Sequence, residues 1–188
     1  MKVAANTLRK GMVVEYNEKL WVVLSNDIRT PGKGASVAQV VMRDIMSGTK
    51  TDVRFATQDM VERARVEEME YQFLFANEDE YTFMNNENYE QIVVSKDLIG
   101  EPAIFLQDGM IVTAQMHEGR ALSITLPETV TMQIVEADPV VKGQTASSSY
   151  KPAILENGAR VMVPPHIESG TRIVVRTEDA SYIERAKD

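Results

Sequence analysis

The sequence predicts an all-β protein, built as three consecutive small β-barrels. Three observations carry that prediction. Runs rich in β-branched and aromatic residues recur along the chain. Short turns of Gly, Pro, Asn and Asp separate them at close intervals. Charge is divided among three segments that coincide with breaks in the strand pattern.

The first segment is residues 1–65. It contains KLWVVLSNDI at 19–28 and ASVAQVVMRDI at 35–45, both with strand character. The loop TPGKG joins them as a hairpin. Pro31 presets φ for the first central position of a turn, and Gly32 supplies the positive φ that a type II turn needs next. Met46-Ser47-Gly48-Thr49 reads as a further turn, and Thr51 to Phe55 as a short strand. The expectation is a small, strongly curved barrel.

The second segment is residues 66–127. MEYQFLFANEDEYTFMNNENYEQIVV alternates strands with the turns Asn77 to Glu80 and Asn85 to Asn88. Ser95 reads as the N-cap of a short helix. IVTAQM, the turn HEGR and ALSITLP complete a second barrel. The third segment, residues 128–188, runs from TVTMQIVEADPVV through the polar KGQTASSSYKPA to ILENGARVMVP and GTRIVVRTEDASYIERAKD. Asn157-Gly158 is a strong hairpin signal. Each barrel has too small a core to be very stable alone. Three in a row make an elongated molecule whose shape matters more than any deep pocket.

Charge supports the division. Residues 1–65 hold 11 Lys and Arg against 7 Asp and Glu, residues 66–127 hold 2 against 12, and residues 128–188 hold 7 against 9. A basic head suits a polyanion, and an acidic middle avoids one. The 188-residue length fits one or two ordinary domains, or three small barrels. A hydrophobic fraction of 44% with 26% charged residues is that of a folded chain.

Several function classes are disfavoured. The chain has no cysteine, which excludes disulfides, thiolate metal sites and a cysteine nucleophile. The start lacks the apolar core of a signal peptide, and no apolar run approaches the ~20 residues of a membrane span. The expectation is a soluble, cytoplasmic protein. His117 and His166 lie in different segments without metal-ligand spacing, and each reads as a surface or turn histidine. Glu78-Asp79-Glu80 lacks the alternating ligands and turn glycine of a calcium loop. Gly32-Lys33-Gly34 is not a phosphate loop, because GxxxxGK[ST] must open a helix and the flanks here are strands. No catalytic residue, metal or cofactor is expected.

Lys33 is the residue without an internal explanation. A solvated lysine can protect a hairpin edge from aggregation. Here, however, the arm from Trp21 to Thr30 spans roughly 30 Å at ~3.3 Å per residue. Pro31, Gly32 and Gly34 keep its tip narrow. A narrow tip on a long arm delivers one cation into a crowded site, and the basic segment points to nucleic acid.

At this point the residues carry a resemblance. PGKG at 31–34, FMNNENYEQ at 83–91, LPETVTMQIVEADPVVKGQTASSSYKPAILENG at 126–158 and VPPHIESGTRIVVRT at 163–177 resemble the bacterial elongation factor P family, in family order along the whole chain. The resemblance implies an SH3-like barrel of the KOW type followed by two OB-folds, in an L-shape that mimics transfer RNA. It implies a monomeric factor, without enzyme activity of its own, that binds the 70S ribosome between the P and E sites. There it relieves stalling on consecutive prolines. Lys33 matches the lysine that reaches the CCA end of P-site peptidyl-tRNA and is commonly extended by a lysine-modifying enzyme. Gly143, Gln144 and Thr145 match the loop that faces the mRNA codon in the E site. Tyr182 and Arg185 match positions that meet the small subunit, although barrel packing explains Tyr182 equally well. Two departures stand out: Thr30 replaces a frequent lysine, and Gln144 replaces an aspartate. The alternatives are a non-catalytic RNA-binding or scaffold protein and the elongation factor P-like paralogue, whose tip often carries arginine.

Overall fold

Alternation decides the N-terminal sheet. Trp21 and Val23 on one strand, and Ala38, Val40 and Met42 on the next, occupy alternate positions and are buried. The computed structural model describes residues 1–139 and 149–187. Its first six strands are β1 (Lys2–Ala4), β2 (Val13–Tyr16), β3 (Lys19–Arg29), β4 (Val37–Asp44), β5 (Lys50–Ala56) and β6 (Met60–Arg63). They form a sheet in the order β1-β6-β2-β3-β4-β5. Asn17 and Glu18 both have positive φ, as a two-residue type I′ hairpin between β2 and β3 requires. The sheet closes over Ala5, Leu8, Val14, Trp21, Val23, Ala38, Val40, Met42 and Val61. Trp21 Nε1 donates to the Tyr16 carbonyl at 2.8 Å, so its polar edge is satisfied inside the barrel.

The turn at 46–49 forms as expected, and Asp44 organises it. Asp44 is 3% exposed. Its carboxylate accepts the Met46 N–H at 2.9 Å and lies 3.6 Å from Lys19 Nζ. The Met46 bond holds its pKa below the ordinary aspartate value; bonds from Ser47 and the charge of Lys19 add to the effect, and desolvation opposes it.

The second sheet contains β7 (Glu67–Ala76), β8 (Glu80–Asn85), β9 (Gln91–Ser95), β10 (Ile111–His117) and β11 (Arg120–Thr125), in the order β11-β10-β7-β8-β9. Phe83 is fully buried, with its ring 5.5 Å from that of Phe73. The polar turns are built by their own side chains. Asn85 Oδ1 accepts the Glu87 and Asn88 N–H groups at 2.7 and 3.3 Å. Ser95 Oγ accepts the Leu98 N–H at 3.4 Å and caps the helix α1 (Lys96–Ile99), as its position in the sequence predicts.

The third sheet contains β12 (Thr129–Ala137), β13 (Lys151–Leu155), β14 (Arg160–Val163), β15 (Arg172–Arg176) and β16 (Ser181–Arg185), in the order β14-β13-β12-β15-β16. Val130, Met132 and Ile134 point inward on β12 against Leu155, Val163, Ile173 and Val175. The expected Asn157-Gly158 turn forms, with Gly158 at φ +87°. The fold class is therefore the expected one, an all-β chain with curled sheets.

By packing, the chain divides into two units. Residues 1–67 and 115–122 form one, and residues 68–114 and 123–188 form the other. His117 belongs to the first unit and corrects an expectation. It is not a surface histidine: its side chain is only 13% exposed, and its Nδ1 lies 2.9 Å from the Arg65 carbonyl. The β10–β11 turn packs with the N-terminal residues, which a local pattern cannot reveal. His166 is exposed, as expected.

Candidate functional site: the β3–β4 hairpin

The hairpin has a root, an arm and a tip. The root ends at a β-bulge. Val23 pairs with Met42 and Ser25 with Val41, so Leu24 is the extra residue. A bulge bends its strand and sharpens the twist. Beyond it, β3 leaves the core: Asp27, Ile28 and Arg29 are exposed although pairing with β4 continues to Arg29 and Val37.

The tip is the loop 30–36. Thr30 Oγ1 and Ser36 Oγ lie 3.1 Å apart and close its base. Pro31, Gly32, Lys33 and Gly34 are all exposed. The expected type II turn at Pro31-Gly32 does not form. Gly34, not Gly32, takes the positive φ, at +115°. Strand pairing stops at Arg29 and Val37, so the chain crosses between strands by a wider loop and reverses later. Nothing lies within 4 Å of a Cβ built at Gly34, so the need for glycine there is conformational rather than steric.

The charges near the tip separate into paired and unpaired cations. Arg29 Nε donates to Asp27 Oδ2 at 3.0 Å. Among the described residues, Lys33 has no hydrogen-bond or ion-pair partner. Farther down the sheet, Arg43 stands directly opposite Lys50, and Arg54 opposite Gln39. Like charges facing each other destabilise a sheet, and a polyanion would relieve that repulsion.

Tyr182 and Arg185 lie elsewhere, on the edge strand β16. Tyr182 pairs with Val175 and Glu184 with Val174, which leaves Ile183 as a bulge. Tyr182 and Arg185, opposite the buried Val175 and Ile173, consequently face the same side of the sheet despite their odd spacing. Tyr182 also packs edge-on against Tyr150, with ring centroids 6.5 Å apart. Gly143, Gln144 and Thr145 lie outside the described residues.

Among the described residues, no cluster of three or more His, Cys, Asp or Glu could hold a metal ion. No helix is long and apolar enough to cross a membrane. A cleft of about 730 Å³ in the second unit is lined by Lys96 and Arg160 but also by Asp97, Glu101, Glu178 and Asp179, so its lining is net acidic and does not suit a polyanion.

Comparison with known proteins places these features in a family. Three family models match in sequence order: "Elongation factor P (EF-P) KOW-like domain" over residues 4–61, "Elongation factor P (EF-P) OB domain" over 66–124, and "Elongation factor P, C-terminal" over 130–185. The chain is 60% identical over 188 residues to Elongation factor P of Rhodospirillum centenum, with 100% of both chains covered. It is 55% identical over 188 residues to Elongation factor P of Cereibacter sphaeroides, again with 100% of both covered. Among solved structures, the eukaryotic translation initiation factor 5A from Methanococcus jannaschii matches with a TM-score of 0.55 and 23% identity, over 67% of this chain and 94% of that one. That likeness is one of fold.

Proposed function

The chain belongs to the elongation factor P family of translation elongation factors, and from that premise we propose that it stimulates peptide-bond formation at consecutive prolines by steadying P-site peptidyl-tRNA through Lys33. The observation that carries the reading is an exposed lysine without a partner among the described residues, at the end of a long hairpin on the basic segment. Proline's ring fixes φ and restricts the nascent chain. Holding the reactants in an attack geometry removes an entropic part of the barrier. A cation and backbone N–H groups can supply that hold by binding phosphate and sugar. The chain then needs no acid, base or metal of its own, because the ribosome performs the chemistry.

Within this reading, the factor is a cytoplasmic monomer that sits between the P and E sites of the 70S ribosome. Residues 1–65 meet transfer RNA. Residues 66–127 form an acidic spacer that rRNA phosphates repel. Residues 128–188 meet the small subunit through Tyr182 and Arg185 and the E-site codon through Gly143, Gln144 and Thr145. Lys33 is the substrate of a lysine-modifying enzyme.

Ribosome profiling of a deletion strain tests the proposal. Pauses at Pro-Pro codons that vanish on complementation with the wild-type chain are expected. Unchanged occupancy at those codons would overturn it and favour a stable RNA-binding role.

A further inference from the structure

On β3, the arm that carries Lys33 has a polar anchor at its root. Asn26 lies two residues beyond the Leu24 bulge and pairs across the hairpin with Val40. Its Nδ2 donates to the Ala5 carbonyl at 2.9 Å and to the Leu8 carbonyl at 3.1 Å. Those acceptors belong to the 3₁₀ turn Ala5–Thr7 and to its C-cap Leu8. Ala5 and Leu8 are both fully buried in the barrel core. The Asn26 side chain thus uses both amide hydrogens to tie β3, just past its bulge, to a turn buried in the barrel core. Beyond it, Asp27 to Arg29 are held only through β4, which pairs in turn with β5 as far as Val37–Ala56, and the Arg29–Asp27 pair lies within the arm itself.

We propose that Asn26 is a positioning residue that sets the aim of Lys33. The inference rests on the proposed role of Lys33 at the P site. Its physical basis is leverage. β3 runs three residues past Asn26 to Arg29, about 10 Å at ~3.3 Å per residue, before the loop that carries Lys33. A tilt of about 10° there moves the base of that loop by about 1.7 Å, beyond the ~0.5 Å within which a functional group must be held. The bulge makes the pivot possible, because it interrupts the ladder that would otherwise stiffen β3. The two amide bonds oppose it. On β3 itself burial ends here, since Asp27, Ile28 and Arg29 are exposed, so no packing by later β3 side chains substitutes for them. Asn26 Oδ1 is buried without a partner among the described residues. That cost is tolerated at a site whose two N–H donors are both engaged.

The test uses Asn26→Ala and Asn26→Leu in protein purified from its native host, with Lys33→Ala as control. Leucine has nearly the shape of asparagine but cannot donate, so it separates the hydrogen bonds from the packing. Two readouts are needed. The first is ¹⁵N relaxation of the Gly32 and Gly34 amides, compared with that of Val40 in the core. The second is the rate of Pro-Pro synthesis on reconstituted ribosomes as a function of factor concentration. The expected result is a tip more mobile than in the wild type over an unchanged core. The maximal stimulated rate should fall about tenfold while the half-saturating concentration changes less than about threefold. Wild-type tip relaxation and wild-type maximal rate in a folded variant would overturn the inference. So would failure of both variants to fold, which would make Asn26 a structural residue of the barrel. Loss of activity in Lys33→Ala with full activity in the Asn26 variants overturns this inference alone. Full activity in Lys33→Ala overturns the proposed role of the lysine, and with it the reason for aiming it.

Discussion

The hydroxyls of Thr30 and Ser36 meet at 3.1 Å and close the base of the loop that carries Lys33. The contact is exposed, and a hydrogen bond of this kind contributes about 0.5 kcal/mol net. Thr30→Ala should therefore lower stability by less than about 1 kcal/mol while loosening the loop. Chemical denaturation measures the first effect. Faster proteolysis within residues 30–36 reports the second, and an unchanged cleavage rate would show that Pro31 and strand pairing alone fix the loop.

Lys33→Ala should separate stability from activity. An exposed side chain without a partner buries little, so the expected stability change is within about ±0.5 kcal/mol. Stimulation of Pro-Pro synthesis should nevertheless be lost. A large fall in melting temperature would identify Lys33 as structural. Intact-mass measurement of native protein, followed by peptide mapping over residues 29–43, determines whether the amine carries an added group.

Acid should weaken the β4–β5 turn through Asp44. Its pKa is lowered in the folded state, chiefly by the Met46 N–H, so the folded chain binds this proton less readily than the unfolded one. The resulting stabilisation is complete above the ordinary aspartate pKa and is lost as pH falls through the lowered value. Asp44→Asn should reduce stability at pH 7 and flatten its dependence on pH in the acid range. Denaturation midpoints measured from pH 7 down to pH 3 check both effects; parallel wild-type and mutant curves would contradict the assignment.

Ala180 sits at φ +58°, a left-handed conformation that alanine adopts at a cost. Ala180→Gly should relieve that strain, partly offset by the greater freedom of the unfolded chain, for a net gain of about 0.5–1 kcal/mol. Equilibrium unfolding measures it, and a loss of stability would mean that the Ala180 methyl makes a contact that matters more than the strain.

Phe83 is fully buried against Phe73. Phe83→Ala should cost about 3–5 kcal/mol, much of what a small barrel has available. Hydrogen exchange of β7 and β8 should rise steeply in this variant. Uniform exchange across all three sheets would show instead that the chain unfolds as one cooperative body.

The local code of this chain was legible without coordinates. β-Branched alternation marked β3, β4 and β12. Asn85, Ser95 and Asn157-Gly158 announced the turns and the cap they build. The PGKG tip stood out because its lysine had no neighbour in sequence to explain it. These features are decided within a few residues, by side-chain period and by φ preference, so sequence alone determined them.

Tertiary structure decided what depends on register between distant strands. Lys2–Ala4 carries little strand signal and becomes β1 by pairing with β6. Gly34 rather than Gly32 takes the positive φ because the β3–β4 ladder ends where it does. The Leu24 bulge and the reach of Asn26 to Ala5 and Leu8 exist only once the barrel has closed. The Ile183 bulge brings Tyr182 and Arg185 to one side of β16. A one-residue change of register reverses which face a side chain occupies, and no local pattern in the chain records that count.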